Sequence, residues 1–257
     1  MYSTRIALLL SFFTVLVFFS CSEPSRSYTL KGTTLLLDSS NVITKDTLQE
    51  QIIHKYRESL EADMNRVLVH SAQVMERGTP EGLLNNFVAD LVLDIGEDLY
   101  QPEDNKKIDF CLLNYGGLRV PLPKGEITYG RVFELLPFEN EMVVITLSGE
   151  KTLELFQYLA QAQRGMPVSA VQLIIKDEEP AEIFIRGENF DINRTYKVLT
   201  SDYLAGGGDS MDFFLQPLNY ELLGMRIRDA IIKHMKEVSN KGEEIKAQLD
   251  GRIKVSG

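Results

Sequence analysis

From Asp46 onward apolar residues fall at three- and four-residue intervals, at Leu48, Ile52, Ile53, Tyr56, Leu60 and Met64, while Glu50, Lys55, Arg57 and Glu58 take the other face. That period predicts a helix with one apolar stripe. The spacing returns from Leu83 to Leu99, where Leu84, Phe87, Val88, Leu91, Val92 and Ile95 form a second stripe to be buried. Ahead of both, Tyr28 to Leu37 carries enough β-branched and apolar residues for a strand, broken at Asp38-Ser39-Ser40-Asn41. Further on the rhythm changes. Ile108 to Leu113 is apolar apart from Asp109, which suits a strand covered on both faces, and Pro121 and Pro123 stop it. Thr128 is placed to cap a helical turn through Leu135; Met142 to Leu147 reads as the next strand, and Ser148 as the cap of a helix over Glu150 to Gln163. Val171 to Lys176 and Ala181 to Arg186 predict a hairpin across Asp177-Glu178-Glu179-Pro180. Thr195 to Thr200 adds a strand, and a helix from Met225 to Val238 closes the core.

Helices and strands interleave, with no repeat and no shift in composition between residues 41 and 240. This predicts one α+β domain over residues 45–257, a mixed sheet flanked by helices. An apolar share of 44% in 257 residues is ample for its core. The formal net charge of -10 excludes a nucleic-acid backbone as partner, since that contact relies on clustered Lys and Arg. Any anionic ligand is therefore small and met locally.

The first twenty residues stand apart. Arg5 precedes an apolar run from Ile6 to Phe19, shorter than the roughly 20 residues that cross a hydrocarbon core. It reads as an export signal, and Ser20-Cys21 followed by Ser22-Glu23-Pro24 resembles the cleavage site of a bacterial lipoprotein. Residues 1–20 are then a lipoprotein-type signal peptide and 21–44 a tether with the first strand. On that reading Cys21 carries the lipid and the protein is held on a bacterial membrane, periplasmic or surface-facing, the alternatives being plain secretion or a retained anchor. The other cysteine, Cys111, lies among Phe110, Leu112 and Leu113, which supply no base; it reads as a core residue.

Three loops carry candidate chemistry. Asn114 ends a buried strand, and Gly116-Gly117 lets the backbone approach a ligand beside Arg119. Leu136-Pro137-Phe138 stops a helical turn and holds an aromatic ring next to Glu139 and Asn140. Ser201-Asp202-Tyr203 leads through Gly206-Gly207-Gly208 to Asp209, where three glycines point to a close approach or a flexible turn. Two rings, a guanidinium, an amide and a carboxylate suit a nucleotide. Taken singly, each loop also reads as an ordinary turn.

In this order the loops resemble the C-terminal substrate-binding domain of the 5′-nucleotidase family. The resemblance runs from about Lys45 to Lys254 and includes GEITYGRVFELLPFEN (Gly125 to Asn140), YKVLTSDYLAGGGD (Tyr196 to Asp209) and LDGRI (Leu249 to Ile253). It implies that Phe138 and Tyr203 sandwich a base, Asn114 bonds the base edge, Asp209 takes ribose hydroxyls and Arg119 faces the phosphate, with Gly116, Gly117, Gly207 and Gly208 shaping the loops. Tyr203 stands where relatives commonly have Phe. Arg77 is the nearest candidate for a further phosphate-binding arginine, about one residue out of step. Full-length relatives place a two-metal phosphoesterase domain ahead of this one. None of its His-bearing motifs occurs here, and His54, His70 and His234 are isolated in sequence. The resemblance therefore implies a nucleotide- or nucleoside-binding half without a cofactor of its own, the divalent metals residing in a separate metallophosphoesterase chain. The alternative is a non-catalytic nucleotide-binding lipoprotein.

Overall fold

The computed structural model describes residues 28–34, 47–162 and 164–256. The expected signal peptide and Cys21, the expected lipidation site, lie outside the described residues. Residues 28–34 are exposed and have no regular structure, so the strand expected from Tyr28 is absent there; its remainder falls outside the description. Lys31 and Gly32 interrupt its apolar and β-branched residues, and glycine inside a strand weakens it. Leu48–Gly257 forms one compact unit, distinct from Met1–Thr47.

The first helix, α1 (Thr47–Met64), leads to β1 (Val67–Ser71), and α2 spans Leu83–Leu99. All six apolar residues expected to be buried on α2 are buried. The chain continues through β2 (Phe110–Leu112), β3 (Gly125–Thr128), α3 (Tyr129–Leu135), β4 (Glu141–Ser148) and α4 (Gly149–Gln161). Both expected caps form: Thr128 Oγ1 accepts from Arg131 N and Ser148 Oγ from Lys151 N, each at 3.2 Å. After β5 (Val168–Ser169), β6 (Val171–Lys176), β7 (Glu179–Ile185), β8 (Glu188–Asn189) and β9 (Thr195–Ser201) come the short α5 (Asp202–Ala205), β10 (Asn219–Arg226), α6 (Ile227–Asn240) and β11 (Ile253–Ser256).

A five-stranded sheet in the order β10-β4-β9-β2-β5 is the frame. Its β9–β2 pair is parallel and the others are antiparallel. The mixed character follows from the connections, since hairpin-like returns and helical crossovers both occur. Alternate residues of β4 enter two different cores: Met142 and Val144 face α2 and α6, whereas Val143, Ile145 and Leu147 face Leu155, Phe156 and Leu159 of α4. A strand covered on both faces reads as an unbroken apolar run, which is how β2 and β4 appear in the sequence. Cys111 is fully buried, and burial pushes its thiol far up.

A second sheet, β11-β6-β7-β8, closes the α4 core. Its β6–β7 turn is tighter than expected: Asp177 and Glu178, at φ 51° and 62°, make a two-residue turn, and Glu179 and Pro180 belong to β7. Positive φ at both turn residues matches the twist of a hairpin. A register shift between Ile174 and Ile175 accommodates the proline. The helix expected from Met225 begins at Ile227, because Met225 lies on β10. The LDGRI segment returns to α2. Arg252, nearly buried, bonds both oxygens of Asp90, at 2.7 and 3.0 Å, and Asp250 at 2.8 Å, so this motif fastens the last strand rather than reaching the loops below.

Candidate functional site

β2, α3 and β9 all deliver their following loops to one cavity of about 260 Å³, lined by Asn114, Gly116, Arg119, Phe138, Asn140, Tyr203 and Asp209. Phe138 and Tyr203 are 43% and 45% exposed, and both border this space. Five of the expected side chains are thus brought together. Asn140 joins them, although no role was read for it in sequence.

Each loop has its own means of support. Beyond β2, Asn114 opens a single 3₁₀ turn over Tyr115–Gly117. A Cβ on Gly117 would stand 2.8 Å from Asn114 Oδ1, so glycine leaves the amide its place. The Asn114 amide donates to Asp209 Oδ2 at 3.0 Å, across 95 residues of sequence. Arg119 is exposed, and its guanidinium donates to Gly116 O at 3.3 Å. Arg77 lies elsewhere: it stacks 4.5 Å above the Tyr115 ring, donates to Tyr115 O, and does not line the cavity.

The Phe138 loop is carried by a residue the sequence did not betray. Arg228, on the first turn of α6, is 4% exposed; it donates to Leu136 O, Phe138 O and Glu139 Oε1 and packs 4.2 Å from the Phe133 ring. Its buried Nε finds no partner among the described residues. A second arginine, Arg226, meets Glu139 at 3.2 Å. In linear sequence Arg228 is one more charge near the start of a helix.

The third loop is wound around Asp209. Ser201 caps α5 by accepting from Leu204 N, which sets Tyr203 at the cavity. Gly207, at φ 84°, and Asp209, at φ 54°, turn the chain back toward the ring. A Cβ on Gly208 would stand 2.5 Å from two atoms of the Tyr203 ring, so this glycine exists to admit the phenol. The Tyr203 hydroxyl donates to Asp209 Oδ1 at 2.8 Å, a bond that holds it above the usual phenol range. Tyr158 of α4 donates to Asp209 O at 3.0 Å, and burial followed by the Asp209 charge raises its phenol likewise.

The histidines are dispersed. His54 is exposed on α1 near Glu58, His70 lies near Glu126, and His234 packs edge-on to Phe87. Among the described residues no group of three or more His, Cys, Asp or Glu is placed to hold a metal ion.

Comparison with known proteins agrees with this architecture. The model of the "5'-nucleotidase, C-terminal domain" family matches residues 64–216, more than half of the chain, and the chain belongs to that family. Among curated relatives, the trifunctional nucleotide phosphoesterase protein YfkN of Bacillus subtilis is 28% identical over 196 residues, 68% of this chain but 12% of that protein. Protein UshA of Escherichia coli is 30% identical over 110 residues, 41% of this chain and 20% of that one. The chain thus spans a minor part of these relatives. A 5′-nucleotidase precursor from Thermus thermophilus shares the fold with a TM-score of 0.68 at 24% identity, covering 82% of this chain and 43% of that one. The NAD nucleotidase of Haemophilus influenzae does so with a TM-score of 0.60 at 17% identity, covering 82% and 42%.

Proposed function

We propose that this chain is the nucleotide-binding half of a 5′-nucleotidase-type hydrolase and works with a separate metallophosphoesterase chain. The observation that carries the reading is the meeting of two half-exposed rings, Phe138 and Tyr203, with Asn114, Arg119 and Asp209 around one cavity. A base between the rings would gain about 1–3 kcal/mol of stacking per aromatic contact, whatever its identity. Asn114 keeps its carbonyl oxygen for the base edge while its amide holds Asp209. Asp209 accepts from ribose hydroxyls with the lone pairs its protein partners leave free. Arg119, with further N–H donors beyond the one given to Gly116, meets the phosphate.

At about 260 Å³ the cavity is just smaller than the roughly 300–1,000 Å³ of ordinary small-molecule pockets. Base and ribose would fill it and leave the phosphate at its mouth, open to a second protein. The residues around it do not fit a two-metal centre, so activation of water belongs to the partner chain. Export and lipidation at Cys21 would place both on the same membrane surface.

Calorimetry of the purified chain with AMP and UDP-sugars tests the binding, and Phe138→Ala should weaken it about ten- to a hundredfold. An unchanged affinity in that variant would sink the base sandwich. Phosphate release assayed with manganese or zinc should require the metallophosphoesterase to be added; turnover by the isolated chain would contradict the division of labour. Binding with no turnover on mixing would favour a non-catalytic nucleotide-binding lipoprotein.

A further inference from the structure

We infer that the Tyr203 hydroxyl sets the sugar selectivity of this site, bracing the Asp209 carboxylate for a ribose with both vicinal hydroxyls so that ribonucleotides are preferred over 2′-deoxyribonucleotides. This rests on the nucleotide-binding reading above. Four hydrogen bonds converge on Asp209. Its Oδ1 accepts from the Tyr203 hydroxyl at 2.8 Å and its Oδ2 from the Asn114 amide at 3.0 Å. Its N–H donates to the same Tyr203 hydroxyl at 3.2 Å, and its carbonyl accepts from the Tyr158 hydroxyl at 3.0 Å. One phenol oxygen therefore makes two of the four.

The backbone gives that grip its purpose. Asp209 and Ser210 sit at φ 54° and 61°, in the left-handed region that residues with a Cβ hold where their surroundings over-determine it. With a protein donor on each carboxylate oxygen, the group cannot rotate freely about its last bond. A carboxylate offers about four acceptor directions, and two remain, one on each oxygen. Asp209 is exposed at the cavity, so this pair of acceptors is available to a pair of adjacent O–H donors. A sugar lacking one hydroxyl leaves one acceptor facing the ligand unmatched. Phenylalanine at position 203 would present the same ring to a base and make neither bond to Asp209, so stacking and bracing differ by a single oxygen atom.

The test is titration calorimetry of the full chain with AMP and 2′-deoxy-AMP, repeated with UMP and its deoxy form, for the wild type, Tyr203→Phe, Asp209→Asn and Phe138→Ala. The wild type should prefer the ribose form by roughly tenfold, and Tyr203→Phe should lose roughly three- to tenfold on AMP, the size of one hydrogen bond, with the preference shrinking toward about twofold. Asp209→Asn, whose side chain also tolerates the left-handed backbone, should flatten the preference as well. A preference that survives intact in Tyr203→Phe overturns this inference while the nucleotide reading stands, provided Phe138→Ala has lost AMP. Failure of the wild type to bind any of the four ligands overturns the nucleotide reading itself, and this inference with it.

Discussion

The two rings that border the cavity are held by opposite means. Phe138 rides on a loop fixed from behind by a buried cation, Arg228, whose bonds go to backbone carbonyls and to Glu139 and whose plane rests on Phe133. Tyr203 stands on a capped turn and is fixed from the front, by its own hydroxyl on Asp209 and by the room Gly208 leaves beneath it. The first arrangement separates support from ligand contact. The second merges them, so that the residue touching the ligand is also part of the scaffold. Damage to the support behind the first loop should therefore show in stability, whereas damage to the support of the second should show in affinity as well.

The strongest way to break this contrast is Arg228→Ala. It should cost about 2–3 kcal/mol of stability in urea denaturation, short of the roughly 3–5 kcal/mol for a fully buried pair because Glu139 is largely exposed. Unchanged stability would mean that the loop does not depend on the cation. Gly208→Ala comes next: the new methyl meets the Tyr203 ring and should lower AMP affinity about tenfold, at a stability cost of about 1–3 kcal/mol. Gly206→Ala is its control, since a Cβ there meets its nearest atoms at 3.4 and 3.5 Å, and it should leave affinity within about twofold. Equal effects at the two glycines would show the loop to be merely flexible.

The smallest effect lies away from both loops. Burial lowers the pKa of His234 against the opposing pull of Asp94 on α2 and Glu237 on its own helix, with Lys241 adding to the lowering. The unfolded chain takes up the imidazole proton first, so stability should fall as pH drops below about 6.5. His234→Gln should flatten that part of the pH profile without altering the ratio of effects at the two loops.

Much of the frame was legible because burial imposes a period. The α2 stripe, the Thr128 and Ser148 caps and the unbroken apolar runs of β2 and β4 are local patterns with local causes. The short strands β1, β3 and β11 escaped notice because a few residues give no period to read. β10 escaped for a different reason: at the sheet edge its apolar residues Tyr220 and Leu222 are exposed, and Glu221 and Gly224 interrupt its apolar run. Likewise α1 shows the expected stripe, yet Ile52, Ile53, Tyr56 and Leu60 remain exposed; periodicity predicts a face and not what covers it. At the cavity, the lining side chains belong to recognisable loops. Arg228 and Tyr158 do not, since their parts are defined by partners 90 and 51 residues away.

Asp209 adds a constraint on how this protein can change. A left-handed backbone accepts glycine, asparagine and aspartate far more readily than longer or branched side chains. Glutamate, which a charge-based view would treat as the nearest substitute, would add a methylene between the carboxylate and a main chain that has no slack to give. Drift at this position is thus channelled toward losing the charge before moving it. A lineage that abandoned its ligand would be recognised by asparagine or glycine at 209, the loop still intact around it.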